Sequence, residues 1–156
     1  MRLSTKFFSL FFLLAASTAC SGPLGPFPGG ELSGTENTIP VSDWTFAKDI
    51  EVIQLETNPQ DPHSVNTWIG VVDNQLYIPT SLILGAEDPS ERAWVNNVLA
   101  DPSVRLRIAD VVYAATLEQV DDPALAAGIK QVLLDKYAEE KTVQVANAWV
   151  FEVKAR

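Results

Sequence analysis

Residues 66–80 read NTWIGVVDNQLYIPT and residues 94–120 read WVNNVLADPSVRLRIADVVYAATLEQV, and these two stretches decide the fold. The first stretch covers most of two β-rich runs, 65–72 and 75–80. They are separated by Asp73-Asn74, and both of these residues tolerate the positive φ of a two-residue hairpin turn. The first stretch therefore predicts a pair of antiparallel strands.

The second stretch changes its hydrophobic period. Apolar residues recur at helical spacing from Trp94 to Leu99, and Asp101-Pro102 then ends the helix. Residues 104–108 alternate between apolar side chains and arginines, and residues 111–120 return as the partner strand. We predict a short helix followed by a second hairpin. Arg105 and Arg107 are expected on the solvent face, where they keep the strand soluble or form a weak anion patch.

The remaining elements extend this pattern. Asp88-Pro89 and Asp122-Pro123 each place an N-cap carboxylate before a first-turn proline, which predicts two helix starts. A short helical turn at 44–48, a strand at 49–57 and a strand at 142–153 complete the chain. The order β-β-β-α-β-β-α-β lacks βαβ alternation and favours an antiparallel sheet closed on itself, with two covering helices.

Composition limits the classes of function. The chain has 156 residues, of which 47% are apolar, and its net charge is −9. Such an acidic surface repels phosphate backbones, so we expect no nucleic-acid partner. Cys20 is the only cysteine and His63 the only histidine, so an intrachain disulfide is impossible and we expect no metal site.

The N-terminus reads as an export signal. Arg2 and Lys6 precede an apolar run of about ten residues, which as a helix reaches about 15 Å, half the thickness of a bilayer core. The segment 17–20, Ser-Thr-Ala-Cys, resembles the bacterial lipobox. That resemblance implies removal of residues 1–19 as a signal peptide and acylation of Cys20 by chains such as palmitate. An ordinary secretory signal is the alternative.

The resemblance also implies a location and a domain organisation. Ser21 after the cysteine implies a lipid-anchored protein of the cell envelope, in the outer membrane and facing the periplasm. Residues 20–41 are rich in glycine and proline and predict a flexible tether of about 25 Å. Its isolated apolar residues, such as Leu32, are expected to have no packing role. The domain is then 42–156.

Residues 66–120 resemble the split β-barrel superfamily of pyridoxamine-phosphate oxidases, flavin reductases and deazaflavin-dependent nitroreductases. The shared features are Leu-Tyr-Ile-x-Thr at 76–80 and Trp-x-x-Asn-x-x-Ala-Asp-Pro-x-Val-Arg-Leu at 94–106. The resemblance implies a mainly β, α+β fold: an antiparallel split β-barrel of about six strands with two covering helices. It also implies a homodimer with FMN at the interface.

In that superfamily the end of a strand and the start of the next helix hold the flavin phosphate. The corresponding positions here are Thr80, Ser81, Ser90 and Arg92. Free N–H groups and the dipole of a helix N-terminus suit a phosphate, and a guanidinium adds charged donors. Trp94, with Trp68 and Trp149 elsewhere, offers a flat aromatic wall for a ring. These residues form the predicted cofactor site.

Each of these residues also has a structural interpretation. Arg92 is an anion ligand or the partner of a nearby carboxylate, Thr80 is a pocket hydroxyl or a strand end, and the tryptophans are pocket or core. Glu87, Asp88 and Glu91 crowd the same helix start. Two hypotheses follow. One is a small-ligand-binding domain that uses a flavin or deazaflavin as an oxidoreductase, without identified catalytic residues. The other is a non-catalytic binding or interaction module that has lost the cofactor.

Overall fold

The computed structural model describes residues 22–80, 88–137 and 147–156. Within these ranges the chain forms eight strands, two α-helices and two short 3-10 turns. The strands are β1 Thr35–Asn37, β2 Val52–Thr57, β3 His63–Trp68, β4 Gly70–Val72, β5 Gln75–Pro79, β6 Ser103–Ile108, β7 Val111–Gln119 and β8 Val150–Ala155. The helices are α1 Ala93–Ala100 and α2 Pro123–Lys136, and the 3-10 turns are Thr45–Ala47 and Pro89–Glu91.

Seven of the strands form one antiparallel path in the order β3-β2-β6-β7-β8-β5-β4. The strands at its two ends, β3 and β4, are separated in sequence by Ile69 alone, so the sheet curls until its ends meet. β1 runs parallel to β7 and pairs with residues 111–113, beside the part of β7 that β8 covers. The predicted antiparallel split barrel with two helices is confirmed.

The hairpin between β4 and β5 has the predicted turn. Asp73 has a φ of 48° and Asn74 a φ of 67°, so both residues are left-handed, as a type I′ turn requires. Val72 pairs with Gln75 directly across the turn. The local sequence therefore sets the register of this hairpin.

Two hydrophobic clusters hold the sheet and helices together. The larger one fills the barrel and receives Trp94, Val95 and Val98 of α1, which packs over β2 and β3. The second lies beneath α2, which packs over β4 and β8. It consists of Tyr77, Ile129, Leu133, Tyr137, Ala148 and Val150. Apolar burial at both helix faces is the main stabilising contribution.

Several element boundaries differ from the prediction. The run 65–72 is two strands, because the chain leaves the ladder at Ile69. The last strand begins at Val150, and the first part of the predicted strand, 142–146, lies outside the described residues. Asp88 caps the 3-10 turn by accepting a hydrogen bond from the Ser90 amide, and α1 starts after it, at Ala93.

The predicted tether is the main difference. Residues 22–37, which we call the strap, pack against the outside of the sheet. Leu32 is 1% exposed, and Gly29 and Ser64 exchange backbone hydrogen bonds of 2.8 and 2.9 Å. The fold therefore includes residues before Ser42, and a flexible tether does not describe 22–41. Residues 1–21, with the predicted signal peptide and Cys20, lie outside the described ranges.

The glycines of the strap allow close backbone contact. A Cβ atom on Gly29 would lie 2.3 Å from the carbonyl carbon of Gly22, and one on Gly34 would lie 2.7 Å from the Asp110 carbonyl oxygen. Both distances are shorter than any real Cβ contact. These glycines are required by packing, whereas their composition had suggested flexibility.

Charged groups fix the strap to the sheet. Glu56 is 4% exposed, and its carboxylate accepts hydrogen bonds from the Leu32 amide and from Arg105 Nη1, the latter at 3.0 and 3.1 Å. Arg105 Nη2 also donates to Glu36 Oε1 at 2.5 Å. The face of β6 that was predicted to be exposed to solvent is therefore partly covered by the strap. Arg105 on this face forms ion pairs with Glu36 of the strap and Glu56 of β2.

In the described ranges, no helix combines the length and apolar character needed to cross a bilayer.

Candidate functional site

A cleft of about 490 Å³ opens where the strap, β3 and the start of α1 meet. Its volume lies in the range of small-molecule sites. The strap contributes Gly25, Pro26 and Pro28, β3 contributes His63, Val65, Asn66 and Thr67, and the helix start contributes Glu91, Arg92, Ala93 and Trp94. Three segments that are distant in sequence therefore form one concave surface.

The strap wall of the cleft is tied to the sheet. Leu24 and Phe27 exchange backbone hydrogen bonds of 3.1 and 3.0 Å across a tight turn, in which Gly25 has a φ of 56°. Asn66 Nδ2 donates to the Gly25 carbonyl oxygen at 2.9 Å. The turn is thereby fixed over the cleft edge of β3.

Trp94 belongs both to the cleft and to the core. Its side chain is 7% exposed and meets the ring of Phe151 edge-on, with centroids 5.6 Å apart. A small part of the indole therefore borders the cleft while the rest anchors α1. Trp94 therefore lies at the boundary between the cleft and the core.

Arg92 supplies positive charge at the same place. Its backbone is extended, with φ −81° and ψ 122°, and its carbonyl accepts the first hydrogen bonds of α1 from Val95 and Asn96. Burial lowers the pKa of the guanidinium, and the carboxylate of Glu91 opposes that shift. Arginine stays charged despite such a shift. The cleft thus has one guanidinium and one carboxylate at its helix side.

Thr80 does not line this cleft. It is fully buried, and its hydroxyl accepts a hydrogen bond from the Trp149 amide at 2.8 Å and lies 3.4 Å from the Trp149 carbonyl oxygen. Thr80 therefore ties the end of β5 to the segment before β8. Ser81 lies outside the described residues.

Ser90 is exposed and engaged with its own turn. Its hydroxyl lies 2.6 Å from Asp88 Oδ1, and the same oxygen accepts from the Ser90 amide at 2.8 Å. Hydrogen bonding to Ser90 lowers the pKa of Asp88, which favours the charged carboxylate. The exposed Asp88 carboxylate therefore occupies the Ser90 donors that a phosphate would need.

Of the predicted cofactor residues that the structure describes, Arg92 and Trp94 meet in one cleft, whereas Thr80 and Ser90 do not join them. This donor set does not fit a flavin phosphate. The Thr80 hydroxyl is buried against the Trp149 amide, and the Ser90 hydroxyl is bound to the Asp88 carboxylate. A phosphate dianion placed between Asp88 and Glu91 would also be repelled by their negative charges.

The β3 and strap walls of the cleft were not among the predicted site residues. The available signal for an ordered strap was the pair Pro26 and Pro28, on either side of Phe27. Proline restricts φ and makes a segment stiffer than glycine alone would. Trp68 and Trp149 lie elsewhere. Trp68 stacks on Tyr137 with centroids 5.1 Å apart, and Trp149 packs against the barrel core.

Metal chemistry has no visible site in the parts of the chain described here. In residues 22–80, 88–137 and 147–156, no three His, Cys, Asp or Glu side chains come together as a metal centre.

Comparison with known proteins supports the fold assignment. No protein-family model matches this sequence, and no curated protein matches it either. Among solved structures, the conserved hypothetical protein Rv2991 from Mycobacterium tuberculosis has a TM-score of 0.52 at 16% identity, over 78% of this chain and 86% of that chain. A protein described as a domain-swapped dimer has a TM-score of 0.52 at 19% identity, over 68% of this chain and 81% of its own.

An F420 reductase is similar as well, with a TM-score of 0.50 at 16% identity, over 76% of this chain and 96% of that chain. At identities this low, the structural similarity shows a shared fold and does not show a shared activity. The topology and these likenesses together show that the chain has a split-barrel fold.

Proposed function

We propose that this protein is a lipid-anchored module of the cell envelope whose split-barrel domain binds a small ligand without performing chemistry on it. The cleft beneath the strap carries the proposal. It is concave, largely apolar and about 490 Å³ in volume, and Arg92 and Glu91 both line its helix side, where a single negative charge is repelled by Glu91 less than a phosphate dianion is. These features suit a flat, apolar molecule with a single anionic group.

A flavin- or deazaflavin-dependent oxidoreductase is the second candidate. The likeness to the F420 reductase, over 96% of that chain, favours it. The engaged hydroxyls of Thr80 and Ser90 favour the binding module. A homodimer, as in the domain-swapped neighbour, is compatible with both candidates.

The binding proposal is tested with 1-anilinonaphthalene-8-sulfonate, a flat apolar anion that fluoresces when it leaves water. We expect saturable binding to the folded protein, weakened about tenfold or more by Arg92→Ala, since a charge-assisted hydrogen bond contributes about 1.5–3 kcal/mol. Arg156→Ala is the matched control, because Arg156 is exposed and bonds Ser103 away from this cleft. Equal binding by both variants contradicts the proposal.

The same preparations separate the two candidate functions. The module is expected to be colourless as purified, and its melting temperature is expected to ignore added FMN or deazaflavin. A yellow protein that releases flavin on denaturation, or a melting temperature raised by either cofactor, supports the oxidoreductase and overturns the non-catalytic proposal.

The envelope location rests on Cys20. Acyl chains on this residue contribute about 0.8 kcal/mol for each buried CH₂, which is enough for two or more chains to hold a domain at a bilayer. Mass spectrometry of the protein from its native cells is expected to show a mature chain that starts at Cys20 and carries lipid.

A further inference from the structure

The folded domain begins very close to the predicted anchor. Ser21 alone separates Cys20 from Gly22, and two Cα steps of about 3.8 Å keep the Cα atoms of Cys20 and Gly22 within about 7.6 Å. Pro23 is already buried. A lipid on Cys20 would therefore hold the domain against the membrane surface, without the 25 Å spacing of a flexible tether.

Two large apolar side chains lie in water close to this point. Leu24 is 79% exposed and Phe27 is 70% exposed, and the turn that carries them is closed by its own backbone hydrogen bonds and by Asn66. The sequence from 21 to 30 has no charged residue. The strap thus presents a small, uncharged, apolar projection beside the anchor.

We propose that the Leu24–Phe27 turn inserts into the interface of the bilayer that holds Cys20. This inference rests on the acylation of Cys20 in the proposed function. The short distance from anchor to turn identifies the occupant, because the leaflet that receives the acyl chains is the apolar phase within reach of both side chains. Interfacial elements bury apolar groups about 5–10 Å into the boundary between headgroups and acyl chains.

Charge determines how this contact forms. Without the predicted signal peptide the chain has 9 basic and 20 acidic residues, a net charge of −11. Anionic headgroups therefore repel the domain, and the contact depends on apolar burial. Insertion is expected on purely zwitterionic phosphatidylcholine and is expected to be insensitive to salt.

The insertion also sets the position of the cleft. Gly25 and Pro26 of the inserted turn line the cleft, so insertion would bring this wall of the cleft to the membrane surface. A ligand dissolved in the bilayer interface can then enter without crossing water.

The test uses the full chain, lipidated in its native cells and reconstituted in phosphatidylcholine vesicles. Acylation takes the thiol of Cys20, so Phe27→Cys provides a single site for a nitroxide label. Ile39→Cys is the matched control, since Ile39 is 73% exposed and lies beyond the strap. Power saturation compares collisions with oxygen, which concentrates in lipid, and with a water-soluble nickel chelate.

We expect the label at 27 to collide more with oxygen and the label at 39 to collide more with nickel. Flotation with the vesicles and the mass of the N-terminal peptide report acylation separately. If the protein is acylated and floats, but the two labels are equally accessible to nickel, insertion is wrong and the lipoprotein proposal stands. If Cys20 carries no lipid, both proposals are overturned.

Discussion

At the residue scale, one tyrosine compensates for the break in the barrel. Ile69 lies between β3 and β4, where its amide and carbonyl leave the sheet ladder. The Tyr137 hydroxyl accepts from the Ile69 amide at 3.1 Å and lies 2.9 Å from the Ile69 carbonyl oxygen and 2.6 Å from that of Glu51. Lys136 Nζ also donates to the Ile69 carbonyl, at 3.1 Å. The end of α2 thus satisfies buried backbone groups that the split exposes.

Tyr137→Phe is expected to destabilise the protein by about 1–3 kcal/mol in urea unfolding, because the buried Ile69 amide loses its acceptor while the Ile69 carbonyl keeps its bond from Lys136. Tyr113→Phe is the control, since this half-buried ring lies edge-on to Trp44 on another part of the sheet. Equal stability of the two variants contradicts this role for Tyr137.

The same tyrosine predicts a pH dependence. Burial raises the pKa of Tyr137 from 10.0 to about 12. Between these values the folded chain keeps the phenolic proton while the unfolded chain releases it, so the contribution to stability is full below pH 10 and is lost as the pH rises towards 12. We expect the gap in unfolding free energy between the parent and Tyr137→Phe to narrow in this window. A gap that stays constant or widens contradicts the assignment.

At the element scale, the strap shows why local patterns were insufficient. Asp73 and Asn74 specify their hairpin because the turn depends on their own backbone preferences. The alternation at 104–108 likewise reports a half-buried strand directly. Glycine, however, occurs both where the backbone is flexible and where two backbone segments pack closely, and composition cannot distinguish these two cases. Glycine is needed at position 29 because the backbone of residues 22 and 23 lies against it, and that contact exists only after the strap has folded back.

The candidate site was partly predictable for a related reason. Arg92 and Trp94 follow from their place at a helix start, which is a local feature. The two interpretations of Thr80, a pocket hydroxyl or a strand end, could not be separated from the sequence, because its hydroxyl bonds Trp149, 69 positions away. The cleft walls from β3 and the strap depend on similar long-range contacts. Hydrophobic periodicity carries no information about them.

Two glycine variants test the strap. Gly29→Ala places a methyl group against the Gly22 backbone and is expected to destabilise the protein by about 1–3 kcal/mol, as overpacking does. Gly128→Ala is the matched control. Gly128 lies in α2 with open space around it, so alanine is expected to stabilise the helix by about 0.5–1 kcal/mol. Urea unfolding of both variants measures the difference, and changes of the same sign contradict the account.

At the scale of the whole molecule, the strap joins the proposed anchor, the cleft and the barrel into one unit. It contacts β3 through Gly29, β2 through Leu32 and β7 through the parallel strand β1. Glu56 and Arg105 add an ion pair beneath it. Movement of the strap would therefore open the cleft and loosen the barrel from the proposed anchor at the same time.

The central claim is that the folded domain starts two residues after Cys20, and amide hydrogen exchange measures it directly. The amides of Gly29, Leu32 and Thr35 donate to Ser64, Glu56 and Asp110, respectively. We expect their protection to approach that of the β6–β7 ladder. Exchange of all three amides at the rate of an unstructured chain, with the ladder still protected, would contradict the account and restore a flexible tether.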